Sequence, residues 1–436
     1  MKIGIIGLGF VGLSFATVLG SKGYQVLGID SDKTKTEQIK NGIPPFYEPE
    51  LEILLKKALK KKLKIFSSID KLNDGFDMVF VTVGTPSLKN GEINLSMIKT
   101  VAEKLGSIIK NASNNPIIVI KSTVIPGTID DVVKPILEKK SGKKAGIDFG
   151  LISNPEFLRE SQAILDTVSP HIVVLGSDKN KYQNKMIEFY KKFHGKVPII
   201  QTNSKTAEMI KYANNSFLAT KISFINQIAK ICENVYGANI EDVAKAIGMD
   251  PRIGSSFLNA GPGYGGSCLP KDVKAIMDFS NKIGVKPFLL NAVEKANENQ
   301  IEHIIKLIEK NCGELKGKTI SILGLAFKPN TDDVRDSTSL IIIEKLLKKQ
   351  ANIIAHDPMA IYNAKKIFKN KIKYSNIISE CLKDSYCLVI MTAWSEYAKI
   401  TNKELKSMKK KIIIDTRRVM NNIKLDCKYK AIGIGN

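Results

Sequence analysis

The sequence predicts an α/β protein with two doubly wound sheet domains joined by a central helical region. Short, almost continuously apolar runs alternate with helical patterns over residues 1–198 and again over residues 301–436. Such runs are typical of parallel strands that helices cover on both faces. Residues 204–236 contain neither glycine nor proline and carry apolar residues at helical spacing, which predicts a long helix. We therefore expect three domains, 1–198, 199–300 and 301–436, with a dimer interface on the central helices.

The strands follow from the apolar runs in chain order. The first domain contains the runs KIGIIGLGF, YQVLGID, DMVFVTVG, PIIVIKST, FGLISNPEF and HIVVLG. The third domain contains TISILGLAF, ANIIAHDP, CLVIMTAW, KKIIIDTRR and YKAIGIG. A glycine follows the first strand of the third domain, but the complete glycine pattern of the first domain is missing there. We interpret the two sheet domains as an architectural similarity and not as a sequence repeat.

The composition and the first residues of the chain limit which classes of protein are possible. The chain has 436 residues, 43% of them hydrophobic and 25% charged, as in a globular protein of two or three domains. No apolar run reaches the roughly 18 residues that a membrane helix needs. The chain enters its first strand at once, which leaves no room for a signal peptide. We therefore expect a cytoplasmic protein with no membrane partner.

The net charge of +23 raises the question of nucleic acid. Only five of the 66 basic residues are arginine, and the lysines are spread along the chain. Nucleic-acid binding surfaces favour arginine and interleave it with aromatic side chains. We therefore expect no nucleic-acid partner, and we expect the positive charge to favour an anionic small substrate.

The cysteines and histidines show no metal-ligand spacing. The six cysteines form no C-x-x-C pair, and the four histidines are scattered. Thiols in a cytosolic protein are expected to stay reduced. We therefore predict no metal site, and a functional cysteine has to be identified by its context.

The first strand runs into Gly7-Leu8-Gly9-Phe10-Val11-Gly12, a G-x-G-x-x-G pattern. Its glycines allow a tight turn, and the next helix offers its N-terminal N–H groups to a pyrophosphate. Asp30 ends the second strand, where an acidic side chain binds ribose hydroxyls and repels a 2′-phosphate. We predict an NAD-binding domain over residues 1–198. The fold class is then two Rossmann-like doubly wound sheet domains joined by a central helical dimerisation region.

Polar residues follow three further strands of the first domain. Thr85 and Thr123 end the runs VTVGTPS and IKSTVIPGT, at the edge of a parallel sheet where ligands bind. They are equally consistent with helix caps and turns. Glu156 and Glu160 lie four residues apart in SNPEFLRE, so they are expected to share a helix face. One would then face substrate and the other cofactor, unless they form a solvated first helical turn.

The central domain carries a lysine and a cysteine in unusual settings. Lys211 and Asn215 are separated by one helical turn in KYANNSFLA, so they lie on one helix face. Two interpretations of the lysine are open: it binds a developing alkoxide, or it lies at the surface with its ammonium in water. Cys268 follows four glycines in GPGYGGSCLPKD, and Pro270 suits the first turn of a helix. A helix N-terminus and Lys211 or Lys271 would favour the thiolate. The alternative is a buried thiol in a glycine-rich loop.

A nucleophilic cysteine beside an NAD site extends the chemistry. The cysteine adds to an aldehyde, and the hemithioacetal loses a hydride to give a thioester. Water then releases an acid. Cys268 therefore suggests a four-electron oxidation of an alcohol to a carboxylate, with Asp272 as a base.

The ordered motifs resemble the UDP-glucose/GDP-mannose dehydrogenase family of nucleotide-sugar dehydrogenases. The resemblance spans the chain through GLGFVG, VTVGTP, KSTVIPGT, NPEFLRE, KYANNSFLA, FLNAGPGYGGSCLPKD and GLAFKPNTDDVRDS. It implies an N-terminal NAD domain, a central dimerising region and a C-terminal domain that binds UDP. It also implies that two NAD oxidise one UDP-glucose to UDP-glucuronate in a homodimer or a higher homo-oligomer.

The resemblance implies a role for individual residues. The catalytic set is Cys268 as nucleophile, Lys211 and Asn215 at the oxyanion, and Asp272, Thr123 and Glu156 for water and protons. The cofactor contacts are Gly7, Gly9, Phe10, Val11, Gly12, Asp30, Lys35, Thr85, Thr123, Glu160 and Arg335. The substrate contacts are Glu156, Phe157, Leu158, Lys211, Asn215, Arg252, Phe257, Asn259, Tyr264, Gly265, Phe327, Lys328 and Arg417. Arg252 is expected to reach the substrate of a neighbouring subunit.

Four alternatives differ in substrate or class. The first is oxidation of UDP-glucose, and the second is the same chemistry on GDP-mannose or a UDP-N-acetylhexosamine. Enzymes for N-acetylated sugars tend to carry histidine in place of Ser267 and to lack the Lys271-Asp272 pair. The third is a two-electron hydroxyacid dehydrogenase, which leaves Cys268 and the third domain unexplained. The fourth is a non-enzymatic sensing or basic binding protein.

The sequence departs from the family pattern at Ser161-Gln162, where glycine is frequent in the family. We therefore expect a slightly shifted loop there.

Overall fold

The computed structural model describes residues 1–88, 90–178, 180–420 and 424–435. The chain divides into two compact units, Met1–Asn214 and Asn215–Asn436. Each unit contains one sheet with its own helices. The division into three domains that the sequence predicts remains a prediction.

Within the described residues, the first unit has eight strands. They are β1 (Lys2–Ile6), β2 (Gln25–Ile29), β3 (Leu63–Phe66), β4 (Met78–Val81), β5 (Ile117–Ile120), β6 (Gly150–Ser153), β7 (Val173–Gly176) and β8 (Ile199–Thr202). Its α-helices are α1 (Phe10–Ser21), α2 (Lys33–Lys40), α3 (Leu51–Lys61), α4 (Ser96–Lys110), α5 (Lys134–Ser141), α6 (Ala163–Val168) and α7 (Lys181–His194). A 3-10 helix covers Ile69–Asp74 and a π-helical turn covers Ile129–Val133.

The strand order of the first sheet is β3-β2-β1-β4-β5-β6-β7-β8. The pairs from β3 to β6 are parallel, whereas β7 meets β6 antiparallel through the single pair of Ser153 and Gly176. The order reverses between β1 and β4. The carboxyl ends of strands at such a reversal form the crevice where open α/β sheets bind ligands.

The first sheet is covered on both faces. Met78 and Phe80 of β4 pack in one core with residues of α1, α3 and α7, while Val79 and Val81 pack in a second core with α4 and α5. Successive side chains of a strand point to opposite faces, so a continuously apolar strand feeds both cores. This arrangement confirms the doubly wound class for this unit.

Helix α8 (Ser204–Cys232) spans the boundary between the units, which confirms the predicted long helix. The other α-helices described in the second unit are α9 (Ile240–Gly248), α10 (Leu269–Lys282), α11 (Phe288–Cys312), α12 (Thr338–Lys348), α13 (Ile361–Phe368), α14 (Ile378–Leu382) and α15 (Asn402–Leu405). Its strands are β9 (Thr319–Leu323), β10 (Asn352–His356), β11 (Lys373–Tyr374), β12 (Cys387–Ile390), β13 (Ile412–Asp415) and β14 (Lys428–Ala431). Two 3-10 turns cover Lys369–Lys371 and Ser395–Lys399.

The second sheet has the order β11-β10-β9-β12-β13-β14, and all its pairs are parallel. Its order reverses between β9 and β12, as the first sheet reverses between β1 and β4. Residues of α8, α9, α11 and α12 pack with this sheet in one apolar core. The second predicted sheet domain is therefore confirmed.

The structure differs from the sequence prediction at three short strands. β3 and β11 lie at sheet edges, and their sequences, LKIF and KY, are too short or too polar to show a strand signal. β8 lies at residues 199–202, where we expected the helical region to begin. Its four residues pair with β7, a tertiary contact that local pattern does not reveal.

No helix among the described residues is long and apolar enough to cross a membrane. The cytoplasmic location remains a prediction.

Candidate active site

Two positions in the turn after β1 can hold only glycine. Gly7 has φ +95°, and a Cβ there would lie 2.8 Å from the carbonyl oxygen of Thr82. A Cβ at Gly12 would lie 1.9 Å from the carbonyl oxygen of Gly7. Side chains at either position would therefore force the strand and the helix apart. The sequence pattern and the close packing of the turn agree.

The same turn leaves its outer side open for an anion. No atom lies within 4 Å of the position that a Cβ would take on Gly9. Gly9 is also the N-cap of α1, and no side chain caps that helix. The N–H groups of the first helical turn are thus available to a pyrophosphate. Phe10 stacks on Phe46 with ring centroids 4.4 Å apart, and Val11 is half-buried beside it.

Asp30 closes the turn from the next strand. Its carboxylate accepts the N–H of Leu8 at 2.8 Å and the N–H of Asp32 at 3.0 Å. Lys35 donates to the same carboxylate at 3.0 Å. Asp30 therefore lies at the carboxyl end of β2, where a ribose would lie, with one cation beside it. These residues fit a dinucleotide.

Two predicted threonines lie together beside this edge. The hydroxyl of Thr85 donates to the carbonyl of Thr123 at 2.7 Å. Thr85 is buried and Thr123 is half-buried. The loops after β4 and β5 are therefore joined, which is the turn-forming role that we weighed for Thr85. Their contact with cofactor remains a prediction.

Glu156 and Lys211 form a buried ion pair. The carboxylate accepts from the lysine ammonium at 3.0 Å, and both residues are less than 10% exposed. The carboxylate also accepts the N–H of Leu158 at 2.5 Å. The ammonium lies 5.3 Å from the ring centroid of Phe157. Two of the predicted substrate contacts, Glu156 and Phe157, therefore lie beside Lys211, and a third, Leu158, binds the carboxylate of Glu156.

The charges of two nearby lysines determine whether Glu156 is ionised. Burial by itself raises the pKa of Glu156, but the charge and hydrogen bond of Lys211, the Leu158 N–H and the charge of Lys121 together hold it below its usual value. Burial lowers the pKa of Lys121 to about 8, with Glu156 opposing the shift and Lys211 adding to it. Glu156 is therefore a carboxylate at neutral pH.

The expectation that Glu156 and Glu160 share a helix face is wrong. Residues 154–159 have no regular secondary structure, and α6 begins only at Ala163. The carboxylate of Glu48 accepts the N–H groups of Ser161 at 2.8 Å and Ala163 at 2.7 Å, and this holds the loop. Ser161 has φ +65°, the left-handed region that favours glycine, which accounts for the glycine that is frequent in the family.

Cys268 lies at the N-terminus of a helix, as predicted. It is the N-cap of α10, and Pro270 occupies the first turn. Its side chain is exposed, whereas Cys232, Cys312, Cys381 and Cys387 are buried and Cys427 is half-buried. Ser267 lies beside the thiol, with oxygen and sulfur 3.5 Å apart. The buried-cysteine alternative is therefore wrong.

Asp272 lies one turn into α10 and is almost fully buried. Asn215 donates to one of its oxygens at 2.6 Å, and Lys271 donates to the other at 2.5 Å. The structure pairs both Lys211 and Lys271 with a carboxylate, because burial of a charge requires a close partner. The effect of either lysine on the thiol remains a prediction.

The glycine-rich loop before Cys268 is packed closely. A Cβ on Gly265 would lie 2.3 Å from the carbonyl oxygen of Asp336, and one on Gly266 would lie 2.7 Å from the ring of Phe327. The N–H of Gly266 donates to the carbonyl of Arg335 at 3.1 Å. Because these glycines lack side chains, the segment after β9 can pack closely against the loop. That segment carries the predicted substrate contacts Phe327 and Lys328.

The remaining predicted contacts occupy different settings. Arg417 lines the loop at Gly261 and donates to the carbonyl of Met391 at 3.0 Å. Burial, and then the charge of Arg418, lower the pKa of Arg417 to about 10. Arg252 is exposed and pairs with Asp250, and Arg335 is exposed and pairs with Asp333. Phe257 has φ +65°, Asn259 is exposed, Tyr264 is buried, and the Lys328 ammonium lies 5.6 Å from the ring centroid of Phe327.

Sequence reasoning missed the side chains that hold the backbone of the glycine-rich loop. Arg418 donates to the carbonyl of Ala260 at 2.7 Å, Asn226 accepts from the N–H of Gly261 at 2.7 Å, and Gln300 donates to the carbonyl of Gly261 at 2.8 Å. Because arginine is rare in this chain, the sequence offered a reason to single out Arg418 as a residue with a specific role. Asn226 and Gln300 lie on α8 and α11 with no local signal.

Family comparisons cover most of the chain. The UDP-glucose/GDP-mannose dehydrogenase family matches in three parts: its NAD binding domain over residues 1–194, its central domain over 205–299 and its UDP binding domain over 321–422.

Relatives match over nearly their full length. UDP-glucose 6-dehydrogenase TuaD of Bacillus subtilis (strain 168) is 41% identical over 422 residues, which is 96% of this chain and 90% of that protein. The structure of a UDP-glucose dehydrogenase from Pyrobaculum islandicum is 32% identical, with a TM-score of 0.93 and coverage of 100% and 98%. A UDP-D-ManNAc dehydrogenase from Pyrococcus horikoshii is 25% identical, with a TM-score of 0.88 and full coverage of both chains.

Proposed function

Because this chain belongs to the UDP-glucose/GDP-mannose dehydrogenase family of NAD-dependent oxidoreductases, we propose that it oxidises UDP-glucose to UDP-glucuronate. The observation that carries the proposal is the exposed thiol of Cys268 at the N-terminus of α10. Bound NAD accepts a hydride in each of two oxidations. An enzyme that stops at the aldehyde would not need a nucleophile at that position.

Cys268 acts on the aldehyde that the first oxidation produces. Its sulfur adds to the carbonyl carbon, and the hemithioacetal is then oxidised to a thioester. Water attacks the thioester carbon and releases the carboxylic acid together with the thiol. The exposed position and the helix N-terminus support this role, because both favour a reactive thiolate.

The buried polar residues handle protons and developing charge. Lys211 and Asn215 stabilise the oxyanion that forms when an alkoxide or a hemithioacetal develops. Glu156, with Thr123, accepts a proton from the attacking water, and the ion pair with Lys211 keeps its carboxylate ionised. Asp272 orders water on the side of Cys268, and its bonds to Asn215 and Lys271 fix its orientation.

The second unit binds the nucleotide part. Phe327 and Lys328 follow β9 at the reversal of the second sheet, where α/β proteins bind ligands, and Arg417 follows β13, the strand beside β12. Cationic side chains suit a diphosphate, and the planar guanidinium of Arg417 suits phosphate or sugar oxygens. Arg252 is 87% exposed at its side chain, which supports a contact with the substrate of a neighbouring subunit.

A second candidate substrate is GDP-mannose or a UDP-N-acetylhexosamine. The likeness to the Pyrococcus horikoshii UDP-D-ManNAc dehydrogenase supports testing a UDP-N-acetylhexosamine. Two observations favour UDP-glucose over the N-acetylated sugars, although the segment GGSCLPKD also resembles GDP-mannose dehydrogenases. Ser267 stands before the cysteine, and Lys271 pairs with Asp272. Enzymes for N-acetylated sugars tend to lack both features.

The direct test is the amount of NADH formed per limiting UDP-glucose with excess NAD. Two NADH per sugar are expected. One NADH would mean that the reaction stops at the aldehyde and that Cys268 has another role. No NADH with UDP-glucose, together with NADH from GDP-mannose or a UDP-N-acetylhexosamine, would replace the proposed substrate.

The variant Cys268→Ser tests the nucleophile. It is expected to form at most one NADH per sugar, because the hydroxyl cannot support the thioester step. Cys427→Ser is the matched control, since Cys427 is half-buried and lies outside the proposed site. Equal stoichiometry in the Cys268 variant and the control would contradict the proposal.

We also propose that the protein is a homodimer through α8. Phe217, Phe224 and Ile231 are spaced seven residues apart on this helix and are 65%, 52% and 53% exposed. Residues seven apart lie on one helix face, so these side chains form an apolar stripe. Exposed stripes of large apolar residues mark protein interfaces.

The solution mass tests the dimer. The chain has a mass of 48.1 kDa, so light scattering is expected to give about twice that value. Phe217→Asp with Phe224→Asp is expected to give the monomer. A monomeric unsubstituted protein would contradict the proposal.

A further inference from the structure

A cavity with charged and polar groups in its wall lies beside Glu156 in the first unit. It has a volume of about 40 Å³ and lies between the ends of β5 and β6 and the helices α6 and α7. Its lining includes Lys121, Asn154, Glu156, Thr167, Tyr190 and His194. The charges of Lys121 and Glu156 need compensation in this setting, because each buried charge costs free energy unless another group compensates it.

Lys121 is the cation of this cavity. It follows β5 directly and is only 8% exposed. Its ammonium donates to the side-chain oxygen of Asn154 at 3.2 Å and lies 5.4 Å from the ring centroid of Phe15. Both neighbours are neutral, so they solvate the charge without cancelling it. The nearby carboxylate that offsets the burial of Lys121 is Glu156.

Asn154 connects Lys121 to Glu156 through the backbone. Its side-chain oxygen also accepts the hydroxyl of Tyr190, and its side-chain nitrogen donates to the carbonyl of Val174 at 2.8 Å. These bonds fix the end of β6. Glu156 follows Asn154 by two residues, so whatever orients Asn154 also orients the start of the loop that carries the carboxylate.

The other titratable groups around the cavity are neutral or paired. Burial lowers the pKa of His194 on α7 to about 4, and it raises the pKa of Tyr190 on the same helix. Both are therefore neutral at pH 7. Asp166 on α6 is paired with Arg159 at 2.7 Å. Among the described residues around the cavity, the cations that act on Glu156 are thus Lys211 on α8 and Lys121 after β5.

We propose that Lys121 is a positioning residue that keeps Glu156 ionised and oriented for proton transfer. The inference rests on the proposed function, because it assigns Lys121 a part in the step that Glu156 performs. Lys211 contacts Glu156 directly and also stabilises developing charge. When that charge binds Lys211, its attraction for Glu156 weakens, and Lys121 then maintains the carboxylate.

The pH dependence of NADH formation tests the charge of Lys121. Lys121→Met is expected to move the acidic limb of kcat/KM upward by about one pH unit, because loss of a nearby cation raises the pKa of a carboxyl. Lys121→Arg keeps the charge and is expected to leave the limb in place. If the methionine variant does not fold, Lys121→Gln replaces it, since glutamine still donates to Asn154.

Tyr190→Phe is the matched control. It removes the other side-chain hydrogen bond to the oxygen of Asn154 but leaves every charge near Glu156 unchanged. Its acidic limb is expected to stay in place, even if the rate falls. An unchanged limb in Lys121→Met, or an equal rate loss at every pH, would overturn the inference.

A measurement without turnover separates the inference from the proposed function. The melting temperature at pH 7 is measured for Lys121→Met, Glu156→Gln and the double variant. Lys121→Met is expected to lower the melting temperature more in the presence of Glu156 than in the Glu156→Gln background. Additive shifts would overturn the inference. A protein that forms no NADH from any nucleotide sugar but shows this coupling would overturn the proposed function alone.

Discussion

A glycine with positive φ follows the first strand of each sheet: Gly7 follows β1 in the first unit, and Gly324 follows β9 in the second. In both turns the glycine N–H donates at 2.8 Å to the last carbonyl of the neighbouring strand. An aspartate after that strand, Asp30 or Asp357, accepts the N–H of the residue that follows the glycine. The two turns therefore have the same construction at the reversal of each sheet.

The two turns differ in the secondary structure that follows them. Helix α1 begins at Phe10, three residues after Gly7, and its N-terminus has no side-chain cap. In the second unit α12 begins only at Thr338, so residues 325–337 form a long loop after Gly324. The first turn presents helical N–H groups to an anion, whereas the second presents side chains such as those of Phe327 and Lys328.

The two aspartates also differ in what they bind. Asp357 is 2% exposed and accepts hydrogen bonds from five donors: the N–H groups of Leu325, Ala326, Met359 and Ala360 and the indole of Trp394. No acceptor capacity is left for a sugar. Asp30 accepts from two N–H groups and Lys35 at a more open edge. The same position is thus more open to a ligand in the first unit, whereas it serves the fold in the second.

The largest expected effect comes from closing the first turn. Gly12→Ala would bring a Cβ to 1.9 Å from the carbonyl oxygen of Gly7. We expect NAD affinity to fall by more than about 100-fold, since the helix N-terminus moves away from the pyrophosphate. Calorimetric titration with NADH measures the loss.

Two controls accompany this variant. Titration with UDP is expected to give unchanged affinity, because the second turn is untouched. Gly9→Ala fits the protein, since no atom lies within 4 Å of its Cβ position. It is expected to leave the melting temperature unchanged and to weaken NAD binding. Normal NADH binding by Gly12→Ala would show that the close packing of the turn is not needed.

The next effect concerns the second turn. Asp357→Asn replaces one acceptor oxygen by a donor that faces buried N–H groups. We expect a loss of about 3 kcal/mol in the free energy of unfolding, because buried donors lose their partner. Denaturant unfolding monitored by circular dichroism gives the value. Asp30→Asn is the matched variant, and equal destabilisation by both would remove the distinction between the two aspartates.

The first unit also has a buried structural carboxyl group, that of Glu208 on α8. It accepts the N–H groups of Gly127 at 2.6 Å and Ile129 at 2.9 Å. Burial raises the pKa of Glu208 from 4.5 to about 8, and the two N–H bonds only partly oppose the shift. Between these values the unfolded chain has lost the proton that the folded chain keeps. Stability is therefore expected to fall as pH rises from 4.5 to 8.

Glu208→Gln removes this titration. The slope of unfolding free energy against pH is expected to become less negative by up to about 1.4 kcal/mol per pH unit. Unfolding is measured at several pH values between 5 and 8, inside the window set by the shift. Glu188→Gln on the exposed side of α7 is the control and should leave the slope unchanged. An unchanged slope in Glu208→Gln would contradict the assignment.

The smallest effect concerns cofactor choice. Asp30→Asn removes the negative charge that repels a 2′-phosphate, and Lys35 remains beside it. We expect the ratio of kcat/KM for NADP to that for NAD to rise about tenfold. Initial rates with each cofactor give the ratio. Asp357→Asn should leave the ratio unchanged, and a shift in that variant would show that Asp357 also acts on the cofactor.

Local sequence was sufficient for features that depend on neighbouring residues. The glycine turn at Gly7, the long helix α8 and the N-cap position of Cys268 follow from spacing, from missing helix breakers and from Pro270. Each depends on steric limits and hydrogen bonds within one or two turns of chain. Apolar runs predicted the two sheets for the same reason, because a strand buried on both faces needs apolar side chains throughout.

Only the tertiary structure decided which polar groups meet. Lys211 pairs with Glu156, 55 positions earlier in the chain. The segment that carries Glu156 and Glu160 is a loop fixed by Glu48, although its spacing suggests a helix. Asp30 and Asp357 follow their strands alike, yet the number of buried donors around each decides its role. A buried charge takes the partner that the packed chain brings within reach, and sequence spacing does not record that distance.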